Sequence, residues 1–415
     1  YELEGQVYYF GIGASREAPM GMTATQAVSV GGSNNDQINS VSGTSDGGYI
    51  VGGAFSGDSI TVEGYTLTNN SSSASNFDGM VIKYNVDGNV EWATSIGESG
   101  NDQISSVAET TDGGYIVGGH CSGSITVGDY TLTQGGAVIK YDAKGSVEWA
   151  TNVGNSVESV SGTNNGGYIV GGYFSGSSIT VGDYTLTNNS SDVSDSDGMV
   201  IKYDVEGEVE CATSIGGDEY DQITSVVGTS DGGYIVGGYF ESESITVGDY
   251  TLKNAGDYDG MVIKYDAKGK VEWETSIGGD DTDNITSVAE TSDGGYIVGG
   301  YFESDSITVG DYTLTRSNTW IYADGMVIKY DSKGTAEWAK GIGGNSNDEI
   351  TSIAVTIDEE CIIGGIFESD TIIVGDYTIT NVNSNTTRST NFDGMIMKFE
   401  KTKLNNPITL QAQSL

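Results

Sequence analysis

Five aspartates recur at one place in an internally repeated chain: Asp36, Asp102, Asp221, Asp283 and Asp348 each open a D-(Q/N/E)-I segment. Oxygen donors of this kind suit Ca²⁺, which takes about 6–8 of them, and neighbours such as Asp218 and Asp280 add to the charge. The spacing matches neither an EF-hand nor a calcium-binding nonapeptide repeat. An aspartate at a turn also accepts backbone N–H bonds, so two readings stand, a Ca²⁺ ligand set and a set of turn caps. The third copy lacks the aspartate, since Gly154-Asn155-Ser156 runs straight into its strand.

Other chemistry is sparse. The single histidine, His120, stands where sister copies carry Tyr, which argues for packing. The sequence holds no phosphate loop, no nucleophile elbow and no Cys/His metal spacing. Carboxylates are so numerous that their pairing alone does not point to acid–base catalysis. No enzyme activity is expected. Cys121, Cys211 and Cys361 replace Phe, Trp and Tyr of other copies, which reads as buried thiols rather than a disulfide framework. In the variable loops, Trp320, Tyr322, Phe77 and Phe392 are the aromatic side chains that could contact a glycan or a protein.

Acids outnumber bases 59 to 17 over 415 residues, giving a net charge of −42. Such a field repels nucleic acid and anionic lipid and favours solubility. No apolar run is long enough to insert into a membrane as a helix. Residue 1 is Tyr rather than Met, the pattern expected if a leader has been removed.

The elements that must position these residues repeat six times. DGMVIKY or its equivalent begins at Asp78, Gly135, Asp197, Asp259, Asp324 and Asp393, at intervals of 57 to 69 residues. In the copy spanning 276–338, Ile285–Glu290 alternates as an inner strand and a TSDGG turn follows. YIVGGYF is the second strand, DGMVIKYD the third, and an outer strand carries Trp338. Between the second and third strands lies SITVGDYTLT, a hairpin turning at Gly310-Asp311. A strand-and-turn period of this length predicts an all-β chain, a six-bladed β-propeller with an extra hairpin in each blade. Trp92, Trp149, Trp273 and Trp338 repeat on the outer strand and are expected to pack between blades. The VIKY lysines are expected to pair with the VEW glutamates, Lys264 with Glu272 for example.

Both ends exceed the count. Ala27–Gly31 aligns with Ala93–Gly97, so residues 24–31 are expected to supply the outer strand that closes the sixth blade. Residues 1–23 form an extension in which Tyr1–Val7 mimics Tyr203–Val209, and residues 401–415 form a tail after the propeller of residues 24–400. Gln6, Val7, Tyr8, Tyr9 and Phe10, with Ile408 and Leu410, are the β-prone residues that would add a strand to another molecule. The alternative is that these tails fold back on their own surface.

Three segments carry a resemblance: Tyr234–Gly238 (YIVGG), Asp259–Gly269 (DGMVIKYDAKG) and Trp273–Gly279 (WETSIGG). Together they resemble the bacterial secreted β-propeller repeats known as SBBP-type, over roughly residues 24–400. The resemblance implies an exported bacterial or archaeal protein at the cell surface and brings no catalytic residues. The regular SITVGDYTLT hairpin, and six blades rather than seven, depart from that pattern. Two functions follow: a structural subunit that forms homopolymers or joins other surface proteins through its terminal strands, and a Ca²⁺-assisted adhesin or lectin reading glycan with its loops.

Overall fold

The computed structural model describes residues 29–414 except 33, 72, 74, 319–321, 357–359, 375–376, 382–392 and 400–410. The described residues form six four-stranded antiparallel sheets and six two-stranded hairpins, with no helix, in a six-bladed β-propeller arrangement. Sheet 1 runs Asp36–Gly43, Tyr49–Ser56, Phe77–Tyr84, Val90–Ile96. Sheet 2 is Gln103–Glu109, Tyr115–Cys121, Gly135–Tyr141 and Val147–Asn152. Sheet 3 is Ser156–Gly162, Tyr168–Ser175, Ser196–Tyr203 and Val209–Ile215. Sheet 4 is Asp221–Gly228, Tyr234–Phe240, Asp259–Tyr265 and Val271–Ile277. Sheet 5 is Asp283–Glu290, Tyr296–Phe302, Asp324–Tyr330 and Ala336–Ile342. Sheet 6 is Asp348–Val355, Cys361–Phe367, Asp393–Phe399 and Gln411–Ser414. The hairpin expected in each repeat is present; in sheet 5, Val309 pairs with Tyr312 across the Gly310-Asp311 turn. Gly310 turns there with φ +57°, a conformation open to glycine at little cost.

Two compact units are distinguished. The first holds sheets 1 and 2 with most of sheet 3, and the second holds the rest of sheet 3 with sheets 4, 5 and 6. Within each unit one junction recurs between successive sheets. The paired glycines of the second strand make it possible. A Cβ on Gly299 would stand 2.7 Å from Ile353 and 2.8 Å from Ile350 of the following sheet, and one on Gly237 as close to Ile285 and Val288. The inner strand is bulged beside these contacts, with the register shifting between Ile285 and Ser287. The bulge frees Thr286 to donate its hydroxyl to the carbonyl of Ile350, 2.6 Å away, and Ile353 N–H donates to Ser287 Oγ at 3.0 Å. Burial of the Ile pair is worth about 1.5–3 kcal/mol per side chain.

The outer-strand tryptophans clasp the tyrosines of the next sheet, as their fixed place predicted. Trp273 lies 5.7 Å from Tyr296 and 5.8 Å from Tyr330 between ring centroids, and Trp92 sits equally against Tyr115 and Tyr141. In sheet 1 the equivalent Tyr49 and Tyr84 stack on each other at 4.6 Å.

One expectation is corrected. The outer strand of sheet 6 is Gln411–Ser414, which pairs with Met395–Lys398, not residues 24–31. Residues 24–28 lie outside the described residues, and 29–32 carry no strand. The outer edge of a third strand presents N–H and C=O groups that any extended segment can bond. A chain returning antiparallel from the same strand fills it here, as it does in the other five sheets.

Candidate functional site

The inner-strand aspartates stand at the start of each sheet, where the chain leaves the preceding outer strand. Asp221 is fully buried. Its Oδ2 accepts from Gly217 N–H and the Ser242 hydroxyl, both at 2.7 Å, and its Oδ1 from Glu241 N–H at 3.1 Å. Asp283 and Asp348 are held identically, by Gly279 N–H with Ser304 and by Gly344 N–H with Ser369. Asp102 accepts from Ser122 and Glu98 N–H, and the less buried Asp36 from Gly32 and Ser56. Each is a cap that ties its entry turn to the end of the second strand. Its oxygens meet N–H groups and serine hydroxyls.

Four of the caps, Asp102, Asp221, Asp283 and Asp348, have a second carboxylate beside them that the sequence reading did not single out, the first residue of DGMVIKY. Asp78 accepts from Asn70 N–H through Oδ2, Asp197 from Asn189, and Asp259 from Ala255, while Oδ1 of all three is buried with no hydrogen-bond partner. Burial pushes Asp78, Asp197 and Asp259 up to about 6, and Asp221, Asp283 and Asp348 up to about 7, with the neighbouring carboxylate adding to the shift of Asp78 and of the latter three. A signal for this pairing was present in the sequence. Gly135 stands in place of the DGMVIKY aspartate of the second copy and Asn155 in place of the inner aspartate of the third, so both carboxylates of that junction vanish together. Among the described residues, no group of three His, Cys, Asp or Glu side chains is placed to hold a metal ion.

The VIKY lysines are buried ion-pair centres. Lys264 Nζ lies 2.9 Å from Asp231, 3.1 Å from Glu272 and 2.8 Å from the Tyr265 carbonyl. Lys83 repeats this with Asp46, Glu91 and Tyr84. The glutamate partner was expected; the DGG-turn aspartate was not. Hydrogen bonds from the Thr44 hydroxyl, from Lys83 and from Gly48 N–H hold Asp46 at about 2. All the lysine's donors are spent within the sheet, so the arrangement is structural.

Of the loop aromatics, Tyr322 is partly exposed and lines a cleft of about 750 Å³ with Ser317, Asn318, Asn345, Asp370 and Thr371. Phe77 is half-buried at the head of a strand in sheet 1. Trp320 and Phe392 lie outside the described residues, as do Gln6, Val7, Tyr8, Tyr9, Phe10, Ile408 and Leu410. His120 is half-buried, with Nδ1 2.9 Å from the Asn155 carbonyl. The cysteines are free thiols, two of them buried.

Ile38 and Val41 of sheet 1 are 40% and 61% exposed, whereas Ile350 and Ile353 of sheet 6 are at 0% and 7%. On sheet 6, Ile396 is 39% exposed where its counterpart Val327 is at 0%, and a Cβ on Gly364 would meet nothing closer than Ser352 at 4.0 Å.

Blades of this architecture define the class, a β-propeller protein. No family model matches the chain. It is similar to the regulatory protein FlaEY of Caulobacter vibrioides, 30% identical over 115 residues, which are 28% of this chain and 12% of that protein. An uncharacterised WD repeat-containing protein of Acanthamoeba polyphaga mimivirus is 24% identical over 69% of this chain and 26% of its own length. The chain thus spans about an eighth and a quarter of these curated relatives. Among solved structures, the Pan2 WD40 domain of Neurospora crassa is similar over 91% of this chain and 78% of that one, at 12% identity and a TM-score of 0.41. No helix among the described residues is long and apolar enough to cross a membrane.

Proposed function

We propose that this chain is an extracellular structural subunit, an exported β-propeller of the SBBP-type repeat class in a bacterium or archaeon, whose copies join into a surface fibre or layer. The observation that carries this reading is the uneven filling of the outer-strand position. Sheets 1, 3, 4 and 5 carry seven-residue outer strands and sheet 2 one of six, whereas Gln411–Ser414 in sheet 6 has four. The register described in sheet 6 runs from Met395 to Lys398, where that of sheet 1 runs from Gly79 to Tyr84. Two segments near the N-terminus, residues 6–13 and 24–31, resemble outer strands, so each is a strand that one molecule can offer to the sheet edge of another. Negative-stain microscopy of the full chain beside a version lacking residues 1–23 tests it. Fibres that disappear on truncation support donation by that segment, and single particles in every sample refute assembly.

A second reading, a glycan-binding adhesin with or without Ca²⁺, draws on the Tyr322 cleft, whose lining of one aromatic ring and several polar side chains suits a sugar. Glycan-array binding that Tyr322→Ala abolishes would establish it, and an array without hits would remove it.

A further inference from the structure

The turn between the first and second strands reads T-S-D-G-G in sheets 1, 4 and 5, T-T-D-G-G in sheet 2 and T-N-N-G-G, Thr163–Gly167, in sheet 3. Sheet 3 therefore carries Asn165 where the others carry Asp46, Asp112, Asp231 and Asp293. Asn165-Gly166 is also the sole Asn-Gly pair in the 415 residues. An asparagine followed by glycine closes to a cyclic imide more readily than any other asparagine pair, because no Cβ on the next residue hinders attack by its nitrogen.

The four aspartates use their two oxygens in one way. Oδ1 accepts from the turn threonine hydroxyl and from the second glycine's N–H, at 2.5 and 2.8 Å for Asp46 and 2.5 and 2.9 Å for Asp231. Oδ2 meets the buried lysine of the third strand, 2.9 Å from Lys83 and Lys264, 3.0 Å from Lys140 and 3.2 Å from Lys329. Asn165 keeps the first half, with Oδ1 2.6 Å from the Thr163 hydroxyl. Its Nδ2 then takes the side where the others hold Oδ2, and an amide N–H₂ cannot accept from an ammonium. The lysine stands differently as well. A Cβ on the second glycine would lie 2.2–2.8 Å from Nζ at Gly48, Gly114, Gly233 and Gly295, whereas at Gly167 the three nearest atoms, out to 3.2 Å, belong to Tyr203 and Asp204. Lys202 is buried with Nζ 2.8 Å from Glu210, and sheet 3 has an amide where the sister sheets supply a second carboxylate.

We propose that Asn165 is a self-modification site: its amide leaves as ammonia, and the aspartate that remains pairs with Lys202 as Asp46 pairs with Lys83. The Gly166 nitrogen attacks Cγ of Asn165. The N–Cγ bond forms as the Cγ–Nδ2 bond breaks, and ammonia departs with the Gly166 proton. Water then opens the five-membered imide at Cγ, returning a proton to the Gly166 nitrogen and leaving a carboxylate. Nothing is oxidised or reduced, and water is the only co-reactant. The attack requires the Gly166 N–H to leave the Thr163 carbonyl, 3.0 Å away, so local opening of the turn, where Asn165 is exposed, sets the rate. Opening the imide at Cγ restores the normal backbone. The new carboxylate enters a frame of threonine hydroxyl, glycine N–H and lysine, the frame that holds Asp46 at about 2 in sheet 1.

The test ages the folded full chain in mildly alkaline buffer beside Asn165→Gln, whose longer side chain closes to an imide far more slowly. Peptide mapping by mass spectrometry, with chromatography that separates aspartate from its backbone isomer, follows each asparagine. Residue 165 is expected to convert to aspartate ahead of every other asparagine, with ammonia release that Asn165→Gln sharply reduces. Asn165→Asp, the product made directly, is expected to melt at a higher temperature than fresh parent, and adding Lys202→Met is expected to erase that gain. Circular dichroism checks that each variant folds. Should the Lys202→Met protein fail to fold, a crystal structure of Asn165→Asp reads the contact directly, and Nζ beside the new carboxylate is the expected result. Folded parent that keeps Asn165 overturns the proposal, and so does the backbone isomer as the main product. An Asn165→Asp protein that gains no stability, keeps its gain without Lys202 or leaves Nζ away from the carboxylate overturns the pairing.

Discussion

Asp78 and Asp102 face each other across Gly97. A Cβ on that glycine would lie 2.5 Å from the carboxyl carbon of Asp78 and 2.9 Å from Oδ2 of Asp102. The same arrangement recurs at Gly216 between Asp197 and Asp221. Two buried carboxylates at this range disfavour double ionisation, and the chain repeats the pair from sheet to sheet.

The first consequence concerns pH. A carboxyl whose folded-state pKa is raised holds its proton in the native state at pH values where the unfolded chain has released it. Stability therefore increases as pH falls from about 7 towards 4, and is lost as pH rises through the folded values of about 6 and 7. Asp46 works oppositely, since its depressed value makes its contribution vanish as pH falls from about 4 to about 2. The melting temperature should thus be higher at pH 5 than at pH 8, with a decline below pH 3. Thermal melts across this range at fixed salt check it; a flat or inverted trend between pH 8 and 5 contradicts it.

Replacing the orphaned partner isolates that effect from the general charge. Asp78→Asn, Asp197→Asn and Asp259→Asn together remove three buried charges and offer amide donors to the neighbouring aspartates. The triple variant is expected to be more stable than the parent at pH 8, by about 1 kcal/mol per site, and nearly equal at pH 5. If instead Ca²⁺ raises the parent's melting temperature and leaves the variant's unchanged, the orphan oxygens serve a cation.

Lys264 offers a contrast between volume and charge. Its partners Asp231 and Glu272 are about half exposed and regain water when the ammonium is gone. Lys264→Met keeps the buried stem and should cost about 1 kcal/mol, whereas Lys264→Ala leaves a cavity as well and should cost about 2–4 kcal/mol. Urea unfolding of both variants gives the difference directly. Equal losses would mean that charge pairing, rather than packing, dominates the site.

Trp273 should behave as a packing residue. Its indole Nε1 is buried with no hydrogen-bond partner, so Trp273→Phe forfeits contact area and no hydrogen bond. Truncation to Ala is expected to cost about 3–5 kcal/mol and Phe less than half of that. Near-ultraviolet circular dichroism should lose the Trp273 share of its tryptophan–tyrosine signal in both. A Trp273→Ala variant as stable as the parent would disprove the clasp.

The strands were readable from the sequence because their causes are local. YIVGGYF, DGMVIKY and VEW alternate or run apolar between glycine-rich turns, and six repetitions of that order leave a propeller arrangement as the consistent outcome. The doubled glycines of the second strand and the outer-strand tryptophans also announced close sheet packing, since small and large residues at fixed repeat positions have few other uses. Tertiary structure alone decided the rest. Asp78 meets Asp102 where one sheet passes to the next, and Lys264 meets Asp231 because the antiparallel register of the second and third strands brings the DGG turn beside it. The sixth sheet takes Gln411–Ser414 and not residues 24–31, because both segments can satisfy the same backbone edge and only their approach separates them. Ile38 and Ile350 occupy the same repeat position and have the same side chain, yet one is exposed and the other buried. Burial belongs to the neighbour a residue finds, and a repeat cannot say which of its copies stands at the end.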